Sequence, residues 1–291
     1  MSFATKFMRE RITDFVRIRG GVIVMLRGFY TAASGMISMQ RQQEALANNI
    51  SNANTPGYKA DQATLRAFPE MLMYQMGQET LPTKQPKNLP VQNPIGSLNT
   101  GVYVQEYVPD FVQGALRETG VSTDLALIDG VFPDETGSIF FTVQNENGDP
   151  RYTRNGNFTV DGQGFLVTTE GYYVLNQAGN PIQTNGMEFI VTPDGQLQLG
   201  GQQIQLGIAY TPDVNQLAKE GNGLYNGEAG PVPAGATFSV QQGFLEQSNV
   251  DSAQTMTQMM EAYRTFEMNQ RVLKAYDESL GKAVSEIGRI G

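Results

Sequence analysis

The chain reads as a mixed α and β protein, in which long N- and C-terminal amphipathic helices flank a central antiparallel β-domain, a sandwich or a distorted barrel. Three observations predict this. Apolar residues recur at alternating spacings of three and four near both ends. Short runs of branched and aromatic residues fill the middle. Between those runs stand pairs such as Asn147-Gly148, Asp161-Gly162, Glu170-Gly171, Asn185-Gly186, Asp194-Gly195 and Gly200-Gly201, many of them strong hairpin turns. A length of 291 residues suffices for one or two domains with real cores.

Residues 1–24 form a basic N-terminal extension, with Lys6, Arg9, Arg11, Arg17 and Arg19 against Glu10 and Asp14. The stretch Val22 to Leu26 is too short for a secretory signal. Two readings stand: a membrane-surface segment with Phe3, Phe7, Phe15 and Ile18 on its apolar side, or a misassigned start with translation beginning at Met25. No transmembrane span is expected anywhere in the sequence.

Residues 25–60 form an N-terminal helical assembly segment. Ala32, Met36, Met39, Gln43, Leu46 and Ile50 make one stripe, with Gln43 its polar interruption. The stripe runs into Asn48, Asn49, Ser51, Asn52, Ala53, Asn54, Thr55, Pro56, Gly57 and Tyr58, a helix-exit motif. Its asparagines tolerate left-handed backbone, Pro56 stops propagation and Gly57 permits a turn.

Residues 61–100 are expected as a connector. Asp61 to Met76 reads as irregular or partly helical chain, with Pro69 against one long helix. Pro82, Pro86, Pro90 and Pro94 then suggest extended, hydrogen-bond-poor chain. Residues 101–242 form the β-domain.

Residues 243–291 form a C-terminal helical assembly segment. Met256, Met259, Tyr263, Phe266, Gln270, Leu273, Asp277, Leu280, Val284 and Ile287 make a heptad seam, flanked by Met260, Met268, Val272, Ala275, Tyr276 and Ala283. Glu267 with Arg271 and Lys274 with Glu278 mark a solvated face. Asp251 followed by Gln254 has capping-box spacing. Burying a large apolar side chain contributes roughly 1.5 to 3 kcal/mol, whereas ordering one backbone residue costs about 1 to 2 kcal/mol. An isolated helix of this kind is marginal. Either sister subunits cover the stripes, leaving frayed termini in a lone subunit, or the two ends pack on each other within one chain.

Composition narrows the chemistry. With 20 basic and 29 acidic side chains, a net charge of −9 argues against a partner bound through phosphate neutralisation, so no nucleic acid is expected. Cysteine, histidine and tryptophan are absent, which removes disulfides, thiolate chemistry and the commonest general base and metal ligand. Carboxylate chemistry remains open through Asp134, Glu135, Asp149, Asp161 and Asp194, yet Asp161 and Asp194 precede glycines as turn residues do. Asn145 to Asp149 lacks the spacing and closing glutamate of a calcium loop. No glycine-rich phosphate cradle leads from a strand into a helix. Catalytic residues, cofactor and metal are therefore all expected to be none.

Three separated motif regions carry a resemblance. MLRGFYTAASGM from Met25 and LANNISNANTPGYKAD from Leu46 resemble the N-terminal signature of flagellar rod and hook proteins. GALRETGVSTDLALIDG from Gly114 and YTRNGNFTVDGQGFLVT from Tyr152 are similar to the family's central β-domain motifs. GFLEQSNVDSAQTMTQMMEAYRTFEMNQRVLKAYD from Gly243 is similar to its C-terminal motif. The likeness covers nearly all of residues 25–291, looks closest to a distal-rod type of Gram-positive bacteria, and favours Met25 as the start. Asp134 to Gly137 departs from the pattern as an acidic insertion that could displace the first strands.

The resemblance implies a structural subunit of the flagellar basal-body rod, not an enzyme, that polymerises through its terminal helices and transmits torque from motor to hook. Its partners would be copies of itself, neighbouring rod and hook proteins and the flagellar type III export apparatus. Its location would be the basal body, outside the cytoplasmic membrane and across the cell wall. The expected assembly residues are Ala32, Met36, Met39, Leu46, Ile50, Met256, Met259, Tyr263, Phe266, Leu273, Leu280, Val284 and Ile287. Alternatives are a wall-directed hydrolase with paired carboxylates and a surface adhesin or binding module.

Overall fold

A 30-residue stretch without proline, Val22–Ser51, forms helix α1 in the computed structural model, which describes residues 22–80, 88–134 and 136–290. The 1–24 extension lies outside the described residues except for its last three, which open α1. Ser252–Ile290 forms the 39-residue helix α2. Asp251 caps α2 as its spacing predicts: Oδ1 accepts from the backbone N–H groups of Ala253 at 2.9 Å and Gln254 at 3.0 Å. No described helix is long and apolar enough to cross a membrane.

The chain divides into two compact units. One comprises the chain up to Glu44, Ala63–Glu106 and the chain from Met259 on; the other comprises Ala45–Gln62 and Tyr107–Gln258. The last turns of α1 and the first turns of α2 thus belong to the second unit.

Strands β1 (Asp61–Ala67), β2 (Met71–Thr80), β3 (Asn88–Leu98) and β4 (Val102–Pro109) occupy the region expected as connector. β1 pairs with β4, and β2 pairs with β3 from Met71 opposite Leu98 to Thr80 opposite Asn88. The partly helical expectation, and the hydrogen-bond-poor one at Pro90 and Pro94, are corrected here; Pro82 and Pro86 lie outside the described residues. A two-stranded ribbon leaves one side of each strand unpaired, so it tolerates prolines. Pro90 and Pro94, four residues apart, place their missing N–H groups on one side. A bulge between Met73 and Tyr74 absorbs the extra residue Ile95.

The second unit holds short antiparallel strands: β5 (Leu116–Glu118), β6 (Leu125–Asp129), β7 (Ser138–Gln144), β8 (Pro150–Thr153), β9 (Phe158–Val160), β10 (Leu166–Thr168) and β11 (Tyr173–Val174). After these come β12 (Ile190–Val191), β13 (Gln196–Leu199), β14 (Gln202–Gln205), β15 (Ile208–Thr211), β16 (Ala218–Gly221) and β17 (Leu224–Asn226). The last are β18 (Gly230–Pro231), β19 (Phe238–Gln242) and β20 (Phe244–Glu246). The largest sheet runs β16-β17-β8-β7-β11-β10-β9, with β15 joining β7 to β18. Its ends, β16 and β9, do not pair with each other, so the barrel alternative is not realised.

Continuous apolarity explains why β7 is central. Ile139, Phe141 and Val143 join the main core with Leu125, Leu127, Phe158, Leu197 and Leu206, while Phe140 faces a second cluster with Tyr152, Val214 and Tyr225. Several glycine turns match the expectation, with left-handed φ at Gly148, Gly171, Gly186 and Gly195. At Asp161 the left-handed residue is Gly164 instead, and Asp161 Oδ1 accepts from the N–H groups of Gln163 and Phe165. Phe141 stacks edge-on against Phe158 at 5.1 Å between ring centres. Replacing Phe141 by Ala is expected to cost about 3 to 5 kcal/mol in a denaturant titration of the full chain; a loss under about 1 kcal/mol would place this ring outside the core.

Candidate assembly interface and the clamp at the helix exit

The helix-exit motif is built from side-chain hydrogen bonds. Asn52 Nδ2 donates to the carbonyl and side-chain oxygens of Asn48, each at 2.9 Å, and Thr55 Oγ1 donates to Asn52 Oδ1 at 3.2 Å. Asn49 is buried: Nδ2 donates to the Asp61 carbonyl at 2.8 Å and Oδ1 accepts from the Asp61 N–H at 2.9 Å. Tyr58 Oη reaches Asn48 at 2.9 Å and Asn49 at 3.0 Å. Burial, then the Asp61 charge, raises the Tyr58 phenol pKa. Within this motif Gly57 alone has positive φ, +67°. A Cβ on Gly57 would lie 2.4 Å from the Arg154 carbonyl carbon. Asn54 is exposed and Pro56 half-buried.

Directly after this motif lies an alternating chain of charges that hydropathy does not reveal. Lys59 Nζ donates to Glu246 Oε1 at 2.6 Å and to the Val112 carbonyl at 2.9 Å. Glu246 Oε1 also accepts from the Gly114 N–H at 3.0 Å, while its Oε2 lies 3.2 Å from Arg154 Nε without hydrogen-bond alignment. Arg154 binds both carboxylate oxygens of Asp129 and the Ile139 carbonyl. The Lys59 and Glu246 side chains are 1% exposed and that of Arg154 is fully buried. Burial, and after it the Arg154 charge, lowers the Lys59 pKa, against the pull of Glu246. Two cations and two carboxylates balance, which removes the largest penalty of placing them indoors. The Gly57 N–H donates to the Glu246 carbonyl at 2.8 Å, and Asn249 bridges Ala60 to Asp110. Lys219 closes the outer side, bonding Asp61 at 2.8 Å and lying 4.2 Å from the centre of the Tyr58 ring.

All four charges lie within the motifs quoted above. Sequence reading missed them because a single Lys or Glu is normally solvated. Nothing in the sequence around Glu246 marks it as a residue only 1% exposed.

On α1 the anticipated stripe is sheltered: Ala32 and Leu46 are buried, and Met36, Met39, Gln43 and Ile50 are half-buried. On α2 the stripe splits. Met259, Phe266, Leu273 and Leu280 are half-buried, whereas Met256, Tyr263 and Val284 are 53%, 48% and 72% exposed; the Ile287 side chain lies outside the described residues. The sheltered row is completed by Thr255, Ala262 and Asn269, small or polar residues that a hydropathy reading ranks low, and by Tyr276 and Ala283 of the anticipated flanking row. Met260 and Met268 are also exposed, and Glu267 meets Arg271 at 3.8 Å as anticipated.

The candidate carboxylates are dispersed. Asp134 accepts from the Tyr210 phenol at 2.8 Å, Asp149 lies 3.7 Å from Arg151, Asp161 holds its turn, and the Asp194 carbonyl accepts from Gln205. Glu135 lies outside the described residues. Asn145 Oδ1 closes its own loop by accepting from Asn147 and Asp149.

Removing Glu246 leaves Lys59 and Arg154 buried together. Glu246→Ala is expected to lose about 3 to 5 kcal/mol of stability in denaturant, and Asp129→Ala less, since Asp129 is partly open to water. Equal, small losses for both would contradict the clamp.

Three family models match in order: "Flagella basal body rod protein" over residues 29–59, "Flagellar hook protein FlgE/F/G D1 domain" over 136–199 and "Flagellar basal body rod FlgEFG protein C-terminal" over 241–286. The chain is 42% identical to the flagellar hook-basal body complex protein FlhO of Bacillus subtilis, over 91% of this chain and 100% of that one. It is 31% identical to the flagellar basal-body rod protein FlgF of Caulobacter vibrioides, over 91% and 100%, and 31% identical to FlgG of Bacillus subtilis, over 90% and 99%. Motif order, full-length coverage and this degree of identity agree, and the chain belongs to the flagellar basal-body rod protein family.

Proposed function

We propose that the chain is a structural subunit of the basal-body rod that polymerises through its terminal helices and passes torque from motor to hook. The observation that carries this is the exposed apolar flank of α2, where Met256, Met260, Tyr263 and Val284 stand uncovered beside a sheltered row. Isolated exposed apolar residues are ordinary, but several along one flank of a helix mark a contact surface. Methionine suits such a surface because its flexible thioether adapts to neighbours set at slightly different angles.

The amphipathic, coiled-coil reading of both helices belongs to this proposal. Copies of the same chain are the first partners, and the rod and hook proteins named among its relatives are the next. The Asn48–Tyr58 segment sets the angle at which α1 leaves the β-domain, held by Asn49, Tyr58 and the Lys59–Glu246 pair. Export through the flagellar type III apparatus fits a chain without cysteine, because a disulfide loop would widen a threading polypeptide. A cysteine pair oxidised across one β-hairpin should therefore arrest export; undiminished export would remove this part.

The helix reading is tested by placing charge on the free flank. Met256→Glu with Tyr263→Glu is expected to leave the circular dichroism of the subunit unchanged and its stability within about 0.5 kcal/mol of the parent, as for open surface positions, while abolishing motility and rod growth. Full motility in the double variant would refute assembly through this flank.

A further inference from the structure

The chain has no cysteine and no tryptophan, so a peroxide finds its softest electron donors in the 13 methionines. Four of these fall within residues 256–268, on α2. Met256, Met260 and Met268 are 53%, 54% and 63% exposed, whereas Met259 is half-buried on the sheltered side. Met256 and Met260 are four residues apart, which puts both thioethers on one patch of the free flank.

Other methionines differ in ways that matter for oxidation. Met36 and Met39 on α1 are half-buried. Met73 is half-buried too, and its sulfur accepts a hydrogen bond from Arg27 Nη1 at 3.3 Å, which engages the lone pair an oxidant needs. Met187 is 49% exposed in a turn of the second unit, its N–H bonded to the Thr184 carbonyl. It supplies an open reference sulfur outside the helices.

We propose that Met256 and Met260 form an oxidation site at which a small peroxide switches assembly off. The sulfur lone pair attacks one oxygen of hydrogen peroxide, and the S–O bond forms as the O–O bond breaks. The departing hydroxide takes the proton of the transferred oxygen and leaves as water. The thioether is oxidised by two electrons and the peroxide is reduced by two. A flexible apolar tip thereby becomes a polar, chiral sulfoxide. On a free subunit that oxygen is hydrated; against an apolar neighbour it loses its hydrogen bonds, so the modified flank resists burial. Once the flank is covered, the oxidant no longer reaches the sulfurs. Free subunits are therefore vulnerable and incorporated ones shielded. This consequence rests on the assembly reading above; the reactivity of the two sulfurs in the free subunit does not.

The test applies hydrogen peroxide to the purified full chain and to purified basal bodies, and reads each sulfoxide by peptide mass spectrometry. In the free chain Met256 and Met260 are expected to oxidise about as fast as Met187 and about ten-fold faster than Met259 and Met73. In basal bodies their rates are expected to fall about ten-fold below the free-chain values. Met256→Gln with Met260→Gln carries the polarity of the sulfoxide without charge; it is expected to keep its circular dichroism and to build no rods. Met256→Leu with Met260→Leu is expected to build rods and to stay motile at a sublethal peroxide dose that slows the parent. Three results would overturn the inference: Met256 and Met260 no faster than Met259 in the free chain, a leucine pair as peroxide-sensitive as the parent, or normal rods from the glutamine pair while both sulfurs are shielded in basal bodies. Sulfurs as reactive in basal bodies as in the free chain would instead remove assembly through the α2 flank, and the blocking consequence with it.

Discussion

One buried chain of alternating charge, Lys59–Glu246–Arg154–Asp129, decides how the second unit closes. Its members come from positions up to 187 residues apart: Lys59, Glu246 and Arg154 are buried, and Asp129, partly open to water, completes the chain. Charge burial adds little net stability when every partner is present and costs heavily when one is missing. Its value here is specificity: the exit from α1 and the approach to α2 meet at Glu246, which receives Lys59 on one oxygen and faces Arg154 with the other. Around it Tyr58, Asn49, Asn249 and Lys219 tie the same few residues to the sheet. Both helices are rooted on this base, since Ala45–Ser51 and Ser252–Gln258 belong to the same unit.

Local physics made most of the architecture legible. Heptad spacing announced both helices, Asp251 announced the start of α2, and glycine turns announced the hairpins. What remained hidden has physical causes. Prolines in the 61–100 region suggest unpaired chain, but a two-stranded ribbon has a free side for them, as Pro90 and Pro94 show. Hydropathy located an α2 stripe but not its exact rotation, because the sheltered row is completed by Thr255, Asn269 and Ala262, which score as neutral. The charge chain was hidden because burial of Lys59 depends on partners almost two hundred positions away.

On α2 a mixed row of apolar, small and polar residues is sheltered, while Met256, Met260 and Met268 are outside. A surface of that kind is tolerated where another molecule is destined to cover it.

The central claim is that a second polypeptide covers the Met256–Met260–Tyr263 flank in the assembled rod. The most direct measurement places a photoactivatable cross-linking residue at Met260 and irradiates purified basal bodies. Adducts joining two polypeptide chains, mapped to a terminal helix of the second, are the predicted result. Adducts confined to one chain, or none above the level seen with the probe at exposed Asn54, would contradict it.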